Sequence, residues 1–110
     1  MAIQVNGITI KTNAEGFLRD ASAWNTEVAE KIAEAHSVEL TDAHWEIISL
    51  VRNYCELGNE PPSMRTLVKE VKLNLDQSKA KSIYLMKLFG ASPAKMASRL
   101  AGLPKPKNCL

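Results

Sequence analysis

The residue best suited to chemistry in this chain is a cysteine, Cys109, one position before the last residue. It follows the stretch LPKPKN, whose two prolines remove backbone donors and favour extended geometry. In a polyproline-like state of roughly 3.1 Å per residue, this arm would carry the thiol on the order of 20 Å from the last predicted helix. A thiolate there can attack a sulfur donor, hold the transferred atom as a persulfide and offer it to an acceptor. We therefore take Cys109 as the candidate catalytic residue, with an incidental terminal cysteine as the alternative.

The other residues that could carry chemistry favour structural roles. Cys55 lies on the apolar stripe of a predicted helix and is expected to be a small buried packing residue. His36 and His44 are not accompanied by cysteines or acidic clusters at ligand spacing, and His44 is expected at the surface or in a helix cap. The sequence contains no glycine-rich phosphate loop and no Ser-His-Asp arrangement. No metal and no cofactor are predicted.

Length and composition indicate a single soluble domain. The chain has 110 residues, of which 45% are hydrophobic and 24% are charged. The N-terminal stretch MAIQVNGITIKT does not have the basic start and apolar run of a signal peptide, so a cytoplasmic protein is expected. Two distant cysteines in such a chain are predicted to be thiols rather than a disulfide.

Charge is distributed unevenly along the chain. Residues 1–76 carry seven basic and twelve acidic side chains, whereas residues 77–110 carry seven basic and no acidic ones. A cationic final third is compatible with binding to nucleic acid, with docking to an acidic protein surface, or with solubility alone. Charge does not choose among these.

The N-terminus predicts a β-hairpin. Apolar residues alternate on both sides of Asn6-Gly7, the dipeptide best suited to a two-residue type I′ turn. This register places Val5 opposite Ile8 and all the hairpin's apolar side chains on one face. An isolated hairpin is marginal in water, so this face is expected to pack on helices.

The remainder predicts about five helices. Asn25, Thr41 and Ser63 are expected to be N-caps of the first three. A fourth is expected to begin near Asp76 and end at Gly90, and a fifth to run from Ser92-Pro93 to Gly102. The predicted inward residues of the fourth helix are Ala80, Ile83, Tyr84 and Leu88.

The predicted fold class is mostly α: a small helical bundle with an N-terminal β-hairpin and a flexible C-terminal arm. The predicted boundaries are residues 1–102 for the domain and residues 103–110 for the arm. The second and third helices are compatible with a helix-turn-helix, which keeps a DNA-binding regulator as an alternative. Two packed helices without DNA binding are the more common case.

The C-terminal third resembles one known family closely. The run YLMKLF, then SPAK, then LAGLPKP and the penultimate Cys109 are similar to the DsrC/TusE family. Upstream, HWE at residues 44–46 and PSMRTLVK at residues 62–69 are similar to the same family, so the resemblance covers essentially the whole chain. It implies a helical bundle with a small hairpin and a mobile arm.

The two branches of this family differ at one position. The resemblance implies that DsrC proteins carry a second cysteine eleven positions before the penultimate one, able to form a disulfide during sulfite reduction. That position is Ser98 here, and a hydroxyl cannot form the disulfide. The resemblance therefore favours a single-thiol, TusE-like sulfurtransferase over a DsrC-like partner of dissimilatory sulfite reductase.

The resemblance also implies partners. A TusBCD-like complex, through its TusD subunit, would give persulfide sulfur to Cys109, and the tRNA 2-thiouridylase MnmA with its tRNA would accept it for 2-thiolation of the wobble uridine. Four basic residues would guide docking to these partners: Lys95, Arg99, Lys105 and Lys107.

Overall fold

The structure, a computed structural model, describes residues 1–107 as a two-stranded hairpin followed by five α-helices. The strands are β1 (Ala2–Val5) and β2 (Ile8–Lys11), and the helices are α1 (Thr26–Ala35), α2 (Asp42–Glu56), α3 (Met64–Asn74), α4 (Ser82–Phe89) and α5 (Pro93–Leu100). Short 3-10 helices at Ala21–Ala23 and Gln77–Lys79 precede α1 and α4. The predicted mostly α class with an N-terminal hairpin is confirmed.

The hairpin has the predicted register and turn. Val5 pairs with Ile8 in the antiparallel ladder, and Asn6 and Gly7 both have positive φ, at 51° and 79°. The apolar face of the hairpin packs against the core as expected at Ile3, Val5 and Ile10, but not at Ile8. Val5 is buried, but Ile8 is 65% exposed, because α1 packs mainly on β1 and leaves the turn end of β2 uncovered.

The predicted N-caps are found at the starts of the first three helices. The Asn25 side chain accepts a hydrogen bond from the backbone N–H of Val28 at 2.9 Å, and Ser63 accepts one from Thr66 at 3.4 Å. Thr41 precedes α2 in an extended conformation. Local side chain to backbone bonds of this kind depend on few residues, so the sequence predicts them well.

The predicted start of the fourth helix was wrong. Asp76 precedes the short 3-10 helix, where its carboxylate accepts a hydrogen bond from the hydroxyl of the serine two residues on at 2.6 Å. The α-helix begins only at Ser82, and this break changes which face is turned inward. Leu85 and Phe89 are buried, while Ile83, predicted to be inside, is 65% exposed.

The core is organised around α5, which contacts each of the other four helices. Burial of large aliphatic side chains in this core is the main stabilising contribution. The following core residues are at most 1% exposed: Val28, Ile32, Ile47, Ile48, Val51, Leu67, Val71, Leu85 and Leu100. The last residues of α5 are thereby fixed, and they are the residues from which the C-terminal segment departs.

None of the helices in residues 1–107 combines the length and the hydrophobicity that a membrane span requires.

Candidate functional site

The C-terminal segment leaves α5 through a Schellman motif. The backbone N–H of Gly102 donates to the carbonyl of Arg99 at 3.2 Å, and that of Leu103 donates to the carbonyl of Ser98 at 3.0 Å. Gly102 has φ 73°, the left-handed conformation that this motif requires and that glycine adopts without a Cβ penalty. The helix therefore ends at a defined residue with a defined exit direction.

Two side chains from earlier in the chain hold this exit in place. Trp24 Nε1 donates to the carbonyl of Leu100 at 2.8 Å, and Arg52 Nη1 donates to the carbonyl of Ala101 at 2.8 Å. The Arg52 guanidinium also lies 3.8 Å from the centre of the Trp24 ring, in a cation–π contact. Together with the Schellman bonds, these groups pair the carbonyls that the end of an α-helix normally leaves open. We call Trp24 and Arg52 the exit clamp.

The described part of the arm lies on the body of the protein. Leu103 packs partly buried against the core, and Pro106 is buried. Lys105 Nζ is 3.3 Å from a carboxylate oxygen of Glu15, and Lys107 Nζ is 2.9 Å from one of Glu60. These exposed ion pairs are individually weak, and they link the arm to two different loops.

Glu15 joins the arm to α5. Its carboxylate accepts from Lys95 at 2.6 Å as well as from Lys105, and its backbone carbonyl accepts from Arg99 Nε at 2.7 Å. The hydrogen bonds from Lys95 and Lys105 lower the pKa of Glu15. The side chain of Asn13 shapes this loop by accepting from the backbone N–H of Glu15 at 2.9 Å. Glu15 was not identified from the sequence, because its partners lie 80 or more positions away.

Arg99, predicted to be a docking residue, lies inside the fold. It is 7% exposed, and its guanidinium is 4.8 Å from the centre of the Phe17 ring and 3.5 Å from the sulfur of Met96. Burial, followed by the neighbouring Arg99 charge, lowers the pKa of His36. Arg99 therefore holds the loop around Glu15 against α5 and is not placed at an open surface.

His44, expected at the surface or in a cap, is a buried cap. It is 6% exposed, and its Nδ1 accepts from the backbone N–H of Thr41 at 3.1 Å. This leaves Nε2 as the protonated nitrogen, which donates to the carbonyl of Leu88 at 2.7 Å. The ring joins α2 to α4 and also contacts Phe89 edge-on. Among the described residues, no group of three His, Cys, Asp or Glu side chains could hold a metal ion.

The two cysteines have different positions. Cys55 is half-buried on α2, and this burial raises the pKa of its thiol, which makes it a weak nucleophile at neutral pH. Cys109, the candidate catalytic residue, lies outside the described residues, which end at Lys107. Its role stays a prediction.

Ser98 lies at the start of the exit motif and is fully buried. Among the residues that the structure describes, its hydroxyl has no hydrogen-bond partner. An unpaired buried hydroxyl is unfavourable. We therefore expect Ser98→Ala to leave stability unchanged or to raise it by up to about 1 kcal/mol, measured by urea unfolding.

Ser63→Ala is the matched control for that substitution. Ser63 caps α3, so its loss is expected to cost about 1 kcal/mol. A Ser98→Ala variant that loses as much stability as the control would contradict the prediction.

The Glu15 ion pairs predict a dependence of stability on pH. A carboxyl whose pKa is lowered in the folded state stabilises the protein when the pH is above the carboxyl's ordinary pKa of 4.5. This contribution is lost as the pH falls through the lowered pKa. We expect wild type to be more stable than Glu15→Gln at neutral pH, and the difference to shrink as the pH falls below 4.5. Urea unfolding at several pH values measures this. Glu56→Gln removes an exposed carboxylate that forms no ion pair in the described part of the chain, and is expected to change stability less at neutral pH.

Comparison with known proteins identifies the class. A family model described as DsrC like protein matches residues 4–110. The chain therefore belongs to the DsrC-like family, and the resemblance found in the sequence is confirmed.

Relatives and solved structures agree with this assignment over full length. A protein named sulfurtransferase TusE homolog from Haemophilus influenzae is 45% identical over 108 residues, which are 98% of this chain and 99% of that protein. Sulfurtransferase TusE from Pectobacterium atrosepticum is 42% identical over the same coverage. DsrC from Allochromatium vinosum has a TM-score of 0.90 at 41% identity, covering 100% of both chains. The oxidized gamma-subunit of dissimilatory sulfite reductase (DsrC) from Archaeoglobus fulgidus has a TM-score of 0.86 at 37% identity, also covering 100% of both chains.

Proposed function

We propose that this protein is a cytoplasmic, single-thiol sulfur carrier of the tRNA 2-thiolation relay. It accepts persulfide sulfur on Cys109 from the TusD subunit of a TusBCD-like complex and passes it on to MnmA with its tRNA. The observation that carries this proposal is the similarity to proteins named sulfurtransferase TusE over 98% of the chain.

The chemistry is a thiol–persulfide exchange. The Cys109 thiolate attacks the terminal sulfur of the donor persulfide, so that a bond from Cys109 to this sulfur forms and the donor S–S bond breaks. The donor cysteine leaves as a thiolate and takes up a proton from water. An acceptor thiolate then attacks the terminal sulfur of the Cys109 persulfide and releases Cys109 as a thiolate. Each exchange is redox-neutral overall and needs one thiol on the carrier.

The serine at position 98 is consistent with a carrier that uses a single thiol. Ser98 occupies the position at which the resemblance places the second cysteine of DsrC proteins, and its hydroxyl is buried in the fold. Cys55 does not replace that cysteine, because it lies on α2 and its pKa is raised by burial. Partnership with a dissimilatory sulfite reductase through an arm disulfide is therefore disfavoured.

The structure suggests how the arm is presented to partners. The exit clamp fixes the residue from which the arm starts, and the described arm lysines are held by Glu15 and Glu60. We propose that Lys95, Lys105 and Lys107 exchange these internal carboxylates for acidic groups of a partner, so that residues 103–107 are released from the body on docking. Arg99 supports the loop that carries Glu15, and would affect docking only by positioning Glu15.

Complementation tests the proposed function. A bacterial strain that lacks its own TusE should regain 2-thiouridine in its tRNA when it expresses this chain, measured by mass spectrometry of digested tRNA. Expression of soluble, folded protein without recovery of the thiolated nucleoside would contradict the proposal.

A further inference from the structure

The exposed side of α4 carries two large apolar side chains. Ile83 is 65% exposed and Met86 is 47% exposed. They are three residues apart in a helix and therefore lie on neighbouring positions of one face. The core already buries Leu85 and Phe89 from the other face of this helix, so Ile83 and Met86 are not needed for packing.

This apolar pair lies among basic residues. Lys81 and Lys87 are exposed at the two ends of α4, and neither forms an ion pair within residues 1–107. Lys79, just before the helix, is paired with Glu46 at 2.7 Å. The sequence contains no acidic residue from position 77 onward. An apolar centre with a cationic rim is thus presented to solvent.

A cleft of about 500 Å³ lies beside Met86, the second residue of this pair. Met86 and Lys87 form one wall, and His36 and Ser92 are among the residues of the others. The one acidic residue in the lining is Glu39. The cleft is large enough to receive side chains from a second protein beside the apolar pair.

We propose that Ile83, Met86, Lys81 and Lys87, with the adjoining cleft, form a docking surface for an acidic protein that presents an apolar anchor; we call it the α4 surface. Protein interfaces combine an apolar centre enriched in methionine with a polar rim, whereas a nucleic-acid backbone would not use the exposed Ile83 and Met86. The partner is expected to be acidic, because a negative surface would complement the positive charges of Lys81 and Lys87.

The α4 surface is well placed to serve the arm. A short turn joins α4 to α5, the two helices pack on each other, and α5 ends at the arm. A partner bound at α4 would therefore hold the body while the arm delivers the thiol. This inference rests on the proposed function, since it identifies the bound partner as the protein donor of the relay.

The experiment compares binding and sulfur uptake by two matched variants. Ile83→Ser combined with Met86→Ser removes the apolar pair, and Leu57→Ser removes an apolar side chain that is 82% exposed outside the α4 surface. Because all three side chains are exposed, both proteins are expected to fold, which circular dichroism and thermal unfolding check. We expect the double variant to bind a purified TusBCD complex about tenfold or more weakly, and Leu57→Ser to bind like wild type.

The charge of the surface is tested in the same assay. Lys87→Glu is expected to slow association with the TusBCD complex at low salt, and the difference should shrink as ionic strength rises. Lys11→Glu makes the same charge change on β2, outside the α4 surface, and is expected to slow association less. Equal effects of the two substitutions would overturn the assignment of charge complementarity to α4.

A small polysulfide used as a sulfur donor separates this inference from the proposed function. Wild type and the double variant should both acquire sulfur on Cys109 from polysulfide, while only wild type acquires it efficiently from the TusBCD complex. If wild type takes no sulfur from the complex, the proposed function fails. If both take it equally and bind equally, the α4 surface is refuted while the proposed function stands. Weakened binding of tRNA, with unchanged binding of the complex, would also refute it.

Discussion

Cys109→Ser is expected to abolish sulfur carriage while leaving the fold intact. The serine hydroxyl cannot attack a persulfide at neutral pH or hold the transferred sulfur, so 2-thiouridine in tRNA should fall to the level of cells without the protein. The core that the structure describes is built from residues before position 104, so we expect thermal unfolding to be unchanged.

Cys55→Ser is the matched control for this substitution. It removes the other thiol, whose pKa is raised by burial, and should leave sulfur transfer near the wild-type level. If Cys55→Ser lost sulfur transfer and Cys109→Ser kept it, Cys55 would be the carrier thiol and the assignment to Cys109 would be wrong. Either outcome identifies the carrier thiol, because Cys55 and Cys109 are the two cysteines of the sequence.

Gly102→Ala is expected to give the largest loss of stability among the Gly→Ala substitutions in this chain. A Cβ at this position would clash with Cδ1 of Trp24 and lie 2.6 Å from its Cγ, and the residue has φ 73°. The left-handed conformation costs about 1–2 kcal/mol for a residue with a Cβ, and overpacking adds a similar or larger amount, so we expect a loss of roughly 2–4 kcal/mol. Urea unfolding measures it.

Gly58→Ala separates the two contributions. Gly58 follows α2 with φ 96°, as Gly102 follows α5, but an added Cβ there would meet no atom within 4 Å. Gly58→Ala should therefore cost only the conformational part, about 1–2 kcal/mol. Equal losses of stability for the two variants would show that Trp24 moves aside without cost. The exit clamp would then not constrain the start of the arm at Gly102.

Local features of this fold could be predicted from sequence, because they depend on residues close together in the chain. The Asn6-Gly7 turn and the caps at Asn25 and Ser63 are examples. The fourth helix was less predictable. Asp76 precedes a 3-10 helix, and the α-helix that begins later, at Ser82, turns Leu85 and Phe89 into the core. Tertiary packing of this kind overrides local helix propensity.

The candidate site was predictable in part. The family and the candidate thiol could be inferred from the C-terminal motifs, since these are contiguous. The surroundings of the arm could not, because the Lys105–Glu15 pair spans 90 positions and the Trp24–Leu100 hydrogen bond spans 76. Charge counts indicated a cationic final third, but they did not indicate that Arg99 would be buried beside Phe17. Such placements are decided by the packing of the whole domain.

Mass spectrometry of the C-terminal peptide tests the central claim most directly. The protein would be incubated with a cysteine desulfurase, cysteine and the TusBCD complex, then alkylated and digested. We predict that the peptide containing Cys109 gains the mass of one sulfur atom, that this sulfur disappears when MnmA and tRNA are added, and that the peptide containing Cys55 is unchanged. Sulfur found on Cys55 alone, or on neither cysteine while the TusBCD complex itself is loaded, would contradict the account.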